Sequence, residues 1–133
     1  MIRLFLAAGL ALGLTGPAAA QESAIEGVIA SQIEAFQRDD FTTAFTFASP
    51  LIRGIFGTPE RFGMMVRQGY PMVWRPADVQ YLDQRQAGPF TYQKVLIRDQ
   101  AGGLHTLEYE MIETEAGWQI NGVQFLEDPP VAA

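Results

Sequence analysis

The residues with the clearest potential for chemistry are His105 and Tyr109, which the two-residue period of a strand places on one face. Histidine titrates near neutral pH, so a histidine beside a tyrosine on a concave, dry face would suit proton transfer. The alternative is a half-exposed, inactive histidine at a strand end, next to Gly102-Gly103. We favour this alternative, because a lone base needs a partner and the sequence does not place one.

Two carboxylates, Glu108 and Glu110, share the opposite face of the same predicted strand. Paired carboxylates can divide acid and base roles between them. Acidic residues two apart are also typical of the solvated face of a half-exposed or edge strand, where charge discourages pairing with other chains. We favour the solvated face.

A bend of aromatic and Met residues, Tyr70-Pro71-Met72-Val73-Trp74, joins the helical half of the chain to the strands. Such soft, amphipathic side chains suit the mouth of a ligand pocket, although they equally suit ordinary core at the open end of a sheet. Arg67 and Arg75 flank the bend and could hold a carboxylate ligand or pair with surface acids; the second is commoner. The residues that we predict to line a ligand pocket are Tyr70, Trp74, His105 and Tyr109.

Other site chemistries have little support in the sequence. The chain has one histidine and no cysteine, and it lacks the spacings of zinc and calcium sites, although a carboxylate-only magnesium site stays open. No G-x-S-x-G motif accompanies its few serines, and Gly102-Gly103 lies at a hairpin tip rather than in a phosphate-binding strand-to-helix turn. We therefore predict no catalytic residue set, no metal and no cofactor.

The N-terminus has the pattern of a secretory signal peptide over residues 1–20. Arg3 precedes an apolar run from Leu4 to Leu14, and Ala18-Ala19-Ala20 offers a small-residue cleavage site before Gln21. The apolar run is shorter than the ~20 residues that span a bilayer, so an uncleaved membrane anchor is the less favoured alternative. We expect cleavage after Ala20, a periplasmic or secreted protein, and no stable membrane anchor.

The mature chain is acidic, with eight Lys or Arg against fifteen Asp or Glu once Arg3 is removed. This balance argues against nucleic acid as a partner, because such proteins need a cationic surface. Its 113 residues suit one domain over residues 21–127, followed by a flexible tail at 128–133. Without cysteine the domain depends on its hydrophobic core.

Four helical segments are predicted before the strands. Ser23 to Arg38 carries one apolar stripe, formed by Ile25, Val28, Ile29, Ile33 and Phe36. Asp39-Asp40 then indicates a capped second helix, in preference to a carboxylate dyad. Ser49-Pro50 and Thr58-Pro59 each start a short helix, and Gly57 and Gly69 end them.

Four strands follow, because the apolar period changes to two after Pro76. The predicted strands are 78–86, 90–98, 104–113 and 118–126, separated by Gly88-Pro89, the loop 99–103 and Ala116-Gly117. Asn121-Gly122 lies inside the last strand and predicts a glycine bulge that bends the sheet. Helices followed by a strand meander predict an α+β domain, with the helices packed on one face of a curved four-stranded antiparallel sheet.

The residues also resemble a known family. The segments 39–50 and 56–76 resemble an uncharacterised family of small exported bacterial proteins, the domain of unknown function numbered 4864, over nearly the whole mature chain. Gly117-Trp118-Gln119-Ile120-Asn121-Gly122-Val123 resembles the last strand of the wider nuclear-transport-factor-2-like superfamily. That resemblance implies a cone of bent sheet and helices with a pocket inside. It implies no catalytic residue, because the narrower family has no known activity and the superfamily contains both enzymes and binding proteins.

Three functions are compatible with these features. The favoured one is a non-catalytic binding or interaction module, whose cone-shaped apolar pocket holds a small apolar or amphipathic ligand or whose surface takes a protein partner. The second is a proton-transfer enzyme of the isomerase or dehydratase type that uses His105 inside the cone. The third is a structural module that forms a homodimer through the outer face of the sheet.

Overall fold

Helices precede strands throughout the computed structural model, which describes residues 16–126. Within that range the five helices are α1 (Gly16–Gln37), α2 (Phe41–Thr46), α3 (Pro50–Phe56), α4 (Pro59–Gly69) and α5 (Pro71–Trp74). The four strands are β1 (Asp78–Ala87), β2 (Phe90–Arg98), β3 (Leu104–Thr114) and β4 (Gly117–Leu126). Helices followed by a meander confirm the predicted α+β class.

Helix α1 begins seven residues before the predicted Ser23. The additional residues, 16–22, include Pro17, which suits a first helical turn, and a run of alanines with high helix propensity. Residues 17–20 are all exposed, so no apolar stripe marked them as helical. The predicted stripe itself is correct, since Ile25, Ile29 and Phe36 are at most 1 % exposed.

Side-chain caps start the short helices where the sequence predicted them. Asp40 Oδ1 accepts from the Thr43 amide at the start of α2. Ser49 Oγ and Thr58 Oγ1 do the same for α3 and α4, each with proline in the first turn. The predicted bend after Gly69 is instead one further helical turn, α5, because Pro71 supplies a helical φ at its first position.

The sheet is fully antiparallel in the order β1-β2-β3-β4. Asn121 is the additional residue of the predicted bulge, since Glu110 pairs with Gly122 and Met111 with Ile120. A second register shift, between Tyr81 and Gln84 of β1, was not predicted. Both shifts increase local twist and so help the sheet curve around the helices.

The core lies between the helices and one face of the sheet. The most deeply buried side chains come from α1 and from alternate positions of β2 and β3, namely Ile25, Ile29, Phe36, Val95, Ile97, Leu107, Tyr109 and Met111. The backbone at Ala48 forms an isolated parallel β-bridge with Ile120, so the edge strand β4 is paired on its outer side at this point. Ser49 N–H donates to the Ile120 carbonyl, and Ile120 N–H donates to the Phe47 carbonyl, both at 2.8 Å.

The prediction of a solvated carboxylate face on β3 is wrong for Glu108, which is only 6 % exposed. Strand β3 is an inner strand, so side chains from its neighbours cover the outer face. Arg85 of β1 lies 3.1 Å from Glu108 Oε1. Glu110 accepts from Tyr92 Oη at 2.9 Å and from Asn121 Nδ2 at 2.7 Å. The two carboxylates are therefore held by separate structural partners.

Two predictions concern residues outside the described range. Most of the predicted signal peptide, residues 1–15, lies there, and so does the predicted flexible tail, 128–133. Both stay predictions.

Candidate functional site

A cavity of about 220 Å³ lies between the helical layer and the β3–β4 half of the sheet. Its walls come from α1, α3, α4, α5 and the two strands, so residues far apart in sequence meet there. Fourteen residues line it: Gln32, Phe36, Ala48, Ile52, Phe56, Phe62, Met65, Val66, Tyr70, Val73, Tyr109, Ile120, Gly122 and Val123. None of these fourteen is charged.

Helix α4 supplies the apolar side of the cavity through Phe62, Met65 and Val66, which recur at i, i+3 and i+4. Phe62 is also the centre of an aromatic cluster. Its ring centroid lies 5.4–5.8 Å from those of Phe36, Phe45 and Phe56, in tilted or edge-on arrangements. Such pairs add stability beyond the area that they bury, so they stabilise this wall.

The bulge of β4 and the end of α4 shape the opposite side. The bulge at Asn121 leads into Gly122 and Val123 at the wall. Tyr70 Oη donates to the Val123 carbonyl at 3.2 Å, and the Tyr70 ring stacks on Phe125 at a centroid distance of 5.1 Å. The segment after α4 is therefore attached to the edge strand beside the cavity.

Tyr109 is the most deeply buried polar residue of the lining. It is 0 % exposed, and its hydroxyl has no hydrogen-bond partner among residues 16–126. Burial raises the pKa of this phenol far above its usual value, with smaller contributions from Tyr81 and Tyr70. Tyr109 therefore stays neutral and keeps an O–H donor that is not engaged.

The four predicted pocket residues do not line one cavity. Tyr70 and Tyr109 line the apolar cavity, whereas Trp74 and His105 line a second, more open concavity of about 380 Å³. The second concavity lies between α5 and the β2–β3 loop. The less favoured alternative, a histidine and a tyrosine together inside one cone, therefore does not match this arrangement.

Trp74 has a clear structural partner. Its Nε1 donates to Asp39 Oδ1 at 2.9 Å, and Arg75 binds both oxygens of the same carboxylate at 3.0 and 3.1 Å. The Trp74 hydrogen bond, followed by Arg75, lowers the pKa of Asp39. Asp39 has φ 57° and forms the corner between α1 and α2. Trp74 and Arg75 thus fasten α5 to that corner, and Arg75 pairs with a surface acid as expected.

His105 also has a structural partner. Its Nε2 lies 2.7 Å from Asp99 Oδ2, at the base of the β2–β3 loop. Asp99 Oδ1 accepts from the Ala101 and Gly103 amides at 2.9 and 2.8 Å. The His105 hydrogen bond is the main reason that the pKa of Asp99 is lowered. With 30 % of its side chain exposed, His105 matches the strand-end alternative.

The described residues contain neither a metal-ligand cluster nor a helix suited to span a membrane. Residues 16–126 contain no group of three or more His, Cys, Asp or Glu arranged to hold a metal ion. None of the helices in that range is long and apolar enough to cross a membrane.

Most of the lining was not predicted as pocket. Phe62 and Val66 of α4 are buried and Met65 is half-buried, but their i, i+3, i+4 spacing in the sequence does not distinguish a filled core from a cavity wall. Gln32 lies within the buried face of α1, 3 % exposed, with Nε2 donating to the Ala44 carbonyl at 3.2 Å. The only indication of this position in the sequence was that Gln32 lies next to the apolar stripe of α1.

Comparisons with known proteins agree with this fold. A family model described as Domain of unknown function (DUF4864) matches residues 18–133. No curated protein matches the chain. Among solved structures, the chain is similar to an NTF-2-like protein of unknown function from Burkholderia xenovorans LB400, with 15% sequence identity and a TM-score of 0.50. That match covers 85% of this chain and 90% of the other, and shows an NTF-2-like fold.

Proposed function

The chain belongs to the DUF4864 family of unknown function, and from its cavity we propose that it is a non-catalytic binding module for a small, largely apolar molecule. The observation that carries the proposal is the 220 Å³ cavity with uncharged, mainly aliphatic and aromatic walls. Ligand sites are typically concave and apolar, with few polar groups.

The size of the cavity supports occupancy. Protein interiors are close-packed, with few voids larger than a water molecule. Wall atoms around a concavity of this volume lack the packing contacts that core atoms have. A ligand that fills the cavity recovers the lost contacts.

Ligand size follows from the same volume. An engineered apolar cavity of about 150 Å³ accepts benzene, with its six heavy atoms, so 220 Å³ corresponds to about nine non-hydrogen atoms. The ligand-efficiency bounds of about 0.3 and 1.5 kcal/mol per non-hydrogen atom allow a Kd of roughly 10 mM or tighter for such a ligand. This affinity is within reach of NMR titration.

Two measurements test the proposal. Native mass spectrometry of protein purified from its own host should show a retained small molecule as added mass. A ¹H–¹⁵N NMR titration of the full chain with α-methylstyrene, an apolar probe of nine carbon atoms, should shift resonances of the cavity lining selectively. An absence of added mass, together with no shift up to the solubility limit of the probe, would overturn the proposal.

A cavity-filling pair provides the matched control. Ala48→Leu adds three carbons at a lining position, whereas Ala87→Leu makes the same change at the exposed end of β1. We expect Ala48→Leu to weaken probe binding at least tenfold and Ala87→Leu to leave it unchanged. If Ala48→Leu does not fold, Val123→Phe fills the same cavity from a half-buried position. Equal binding by folded filled and control variants would contradict the assignment of the cavity.

The proton-transfer alternative has weaker geometric support. It places His105 inside the cone, but His105 lies at the second concavity and binds Asp99. Tyr109, the phenol that would accompany it, lines the other cavity. A histidine held at a loop and a phenol in a separate cavity do not form one acid–base site.

Export is the second part of the proposal. Residues 17–20 are exposed, and the first buried residue of α1 is Ile25, so cleavage after Ala20 would remove no core side chain from this segment. N-terminal sequencing of protein from the periplasmic fraction should therefore begin at Gln21. Protein that keeps residues 1–20 and stays in the cytoplasm would contradict this part of the proposal.

A further inference from the structure

The orientation of one amide in the cavity wall is fixed by its own hydrogen bond. Gln32 lies on α1 one helical turn before Phe36, and both residues line the cavity. Gln32 is 3 % exposed, and its Nε2 donates to the Ala44 carbonyl at 3.2 Å. Because a carbonyl oxygen can only accept, the amide nitrogen must be the atom beside it, and Oε1 takes the other position.

The Gln32 oxygen is an accessible acceptor without a partner. No hydrogen bond among residues 16–126 ends on Gln32 Oε1. Nor is the atom enclosed, since the unpartnered side-chain atoms in that range with less than 1 Å² of accessible surface are Arg53 Nε and Tyr109 Oη. Gln32 is otherwise buried and forms part of the wall, so its remaining surface lies on the cavity. Buried polar groups are almost always hydrogen-bonded, so this oxygen calls for a partner.

The other polar side-chain atoms of the wall are either engaged or enclosed. Gln32 Nε2 is bound to the Ala44 carbonyl, and Tyr70 Oη donates its proton to the Val123 carbonyl. The Tyr109 hydroxyl has less than 1 Å² of accessible surface, so it offers nothing to a ligand in this arrangement. The unsatisfied atom that a ligand can reach is therefore an acceptor, and the group that complements it is a hydrogen-bond donor.

The charge of the wall restricts that donor to an uncharged group. A hydroxyl and an ammonium can both donate to an amide oxygen. None of the fourteen lining residues is charged, so an ammonium would lose its hydration there without gaining a carboxylate partner. Burial of an unpaired charge is strongly unfavourable, whereas a hydroxyl that finds an acceptor is tolerated.

We infer that the ligand is an uncharged, compact molecule of about nine non-hydrogen atoms, apolar except for a donor such as a hydroxyl, which binds Gln32 Oε1. The inference rests on the proposed binding function and specifies its ligand class. Gln32 is a specificity-determining residue for that ligand rather than a catalytic one.

Three probes of equal size isolate the two requirements. 1-Phenylethanol has a hydroxyl donor, acetophenone has the same oxygen without the proton, and 1-phenylethylamine carries a positive charge at pH 7. Each has nine non-hydrogen atoms. Kd values from NMR titration are compared between the full-length wild type and Gln32→Met, which replaces the amide by an apolar side chain of similar length. The Ala44 carbonyl keeps the Phe47 N–H as a donor at 3.2 Å in that variant.

We expect Gln32→Met to weaken 1-phenylethanol binding by roughly 3- to 10-fold relative to acetophenone, as the loss of one buried hydrogen bond predicts. The ammonium probe should bind the wild type at least tenfold more weakly than 1-phenylethanol does.

Gln119→Met is the matched control. Gln119 is 5 % exposed and lies outside the lining, and its Nε2 also donates to a carbonyl of α2, that of Thr46, at 3.2 Å. Its oxygen, unlike that of Gln32, accepts from Thr114 Oγ1 at 3.0 Å. This variant should leave the Kd values of both neutral probes unchanged.

Failure of the inference is distinguishable from failure of the proposed function. If both neutral probes bind and Gln32→Met changes their Kd values equally, the ligand-class inference is overturned while the binding function stands. Binding of the ammonium probe as tight as that of 1-phenylethanol would overturn it as well. If no probe binds, α-methylstyrene included, the binding function itself is contradicted.

A measurement on the wild type covers the case in which Gln32→Met does not fold. A hydrogen bond to an amide oxygen deshields the attached carbon, so the ¹³C resonance of Gln32 Cδ should move to higher chemical shift with 1-phenylethanol than with acetophenone. An equal Gln32 Cδ shift with both bound probes would overturn the inference.

Discussion

Removing the Tyr109 hydroxyl should stabilise the ligand-free protein. In most proteins a buried Tyr→Phe substitution removes a hydrogen bond and is destabilising. Here the hydroxyl has no partner among the described residues, so the substitution removes a desolvated donor and keeps the aromatic ring. Tyr70→Phe is the matched comparison, because it removes a hydroxyl that donates to the Val123 carbonyl.

The expected magnitudes have opposite signs. A buried, unsatisfied donor costs about 1–3 kcal/mol, part of which is offset by the packing that the oxygen provides, so we expect Tyr109→Phe to add about 1–2 kcal/mol to the free energy of unfolding. For a domain of this size, that corresponds to a rise in Tm of about 4–8 °C. Tyr70→Phe should instead lower the free energy of unfolding by about 0.5–1.5 kcal/mol.

Urea denaturation followed by circular dichroism and Trp fluorescence measures both changes. Protein refolded from denaturant should be used, so that no bound ligand remains. A higher midpoint with an unchanged slope for Tyr109→Phe would report stability alone. If refolded Tyr109→Phe is less stable than the wild type, the hydroxyl is satisfied in solution, and the argument from an unpaired donor is refuted.

Two further predictions concern the frame around the cavity. Gly63→Ala should lower the free energy of unfolding by about 1–3 kcal/mol, because a Cβ there would lie 2.6 Å from the Phe41 ring. Gly54→Ala is the control, because a Cβ at that position of α3 would meet no atom within 4 Å, and it should be neutral or stabilising in the same urea assay. Asp99→Asn should weaken the acid-induced loss of stability. The His105 hydrogen bond lowers the pKa of Asp99 in the folded protein below its usual value of 3.8. The ionised Asp99 carboxylate therefore stabilises the folded state above pH 3.8, and this stabilisation is lost as pH falls through the folded pKa. An unchanged acid limb in a pH series of urea midpoints would contradict the second.

The helices and strands could be predicted because their signals are local. Ser49-Pro50 and Thr58-Pro59 each combine a side-chain cap with a proline that suits the first turn, and both start helices in the structure. The breaks at Gly88-Pro89 and at the loop 99–103 predicted Phe90–Arg98 with its observed bounds. The bulge at Asn121-Gly122 followed from one dipeptide in a strand.

The candidate site could not be predicted in the same way, because it depends on contacts between distant segments. A period of two places His105 and Tyr109 on one face, but they are four residues apart, about 13 Å along a strand. His105 therefore reaches the loop and Asp99, while Tyr109 reaches the cavity. Burial of Glu108 similarly required Arg85 from a strand that is not its neighbour.

The segment from Tyr70 to Trp74 holds the helical layer in place rather than opening and closing the cavity. Tyr70 is attached to β4 through the Val123 carbonyl and the Phe125 ring. Trp74 is attached to the corner between α1 and α2 through Asp39. A short segment fixed at both ends cannot move as a lid without breaking both attachments, so the cavity is pre-formed. Ligand selection then depends on the size and the uncharged lining of this pre-formed cavity.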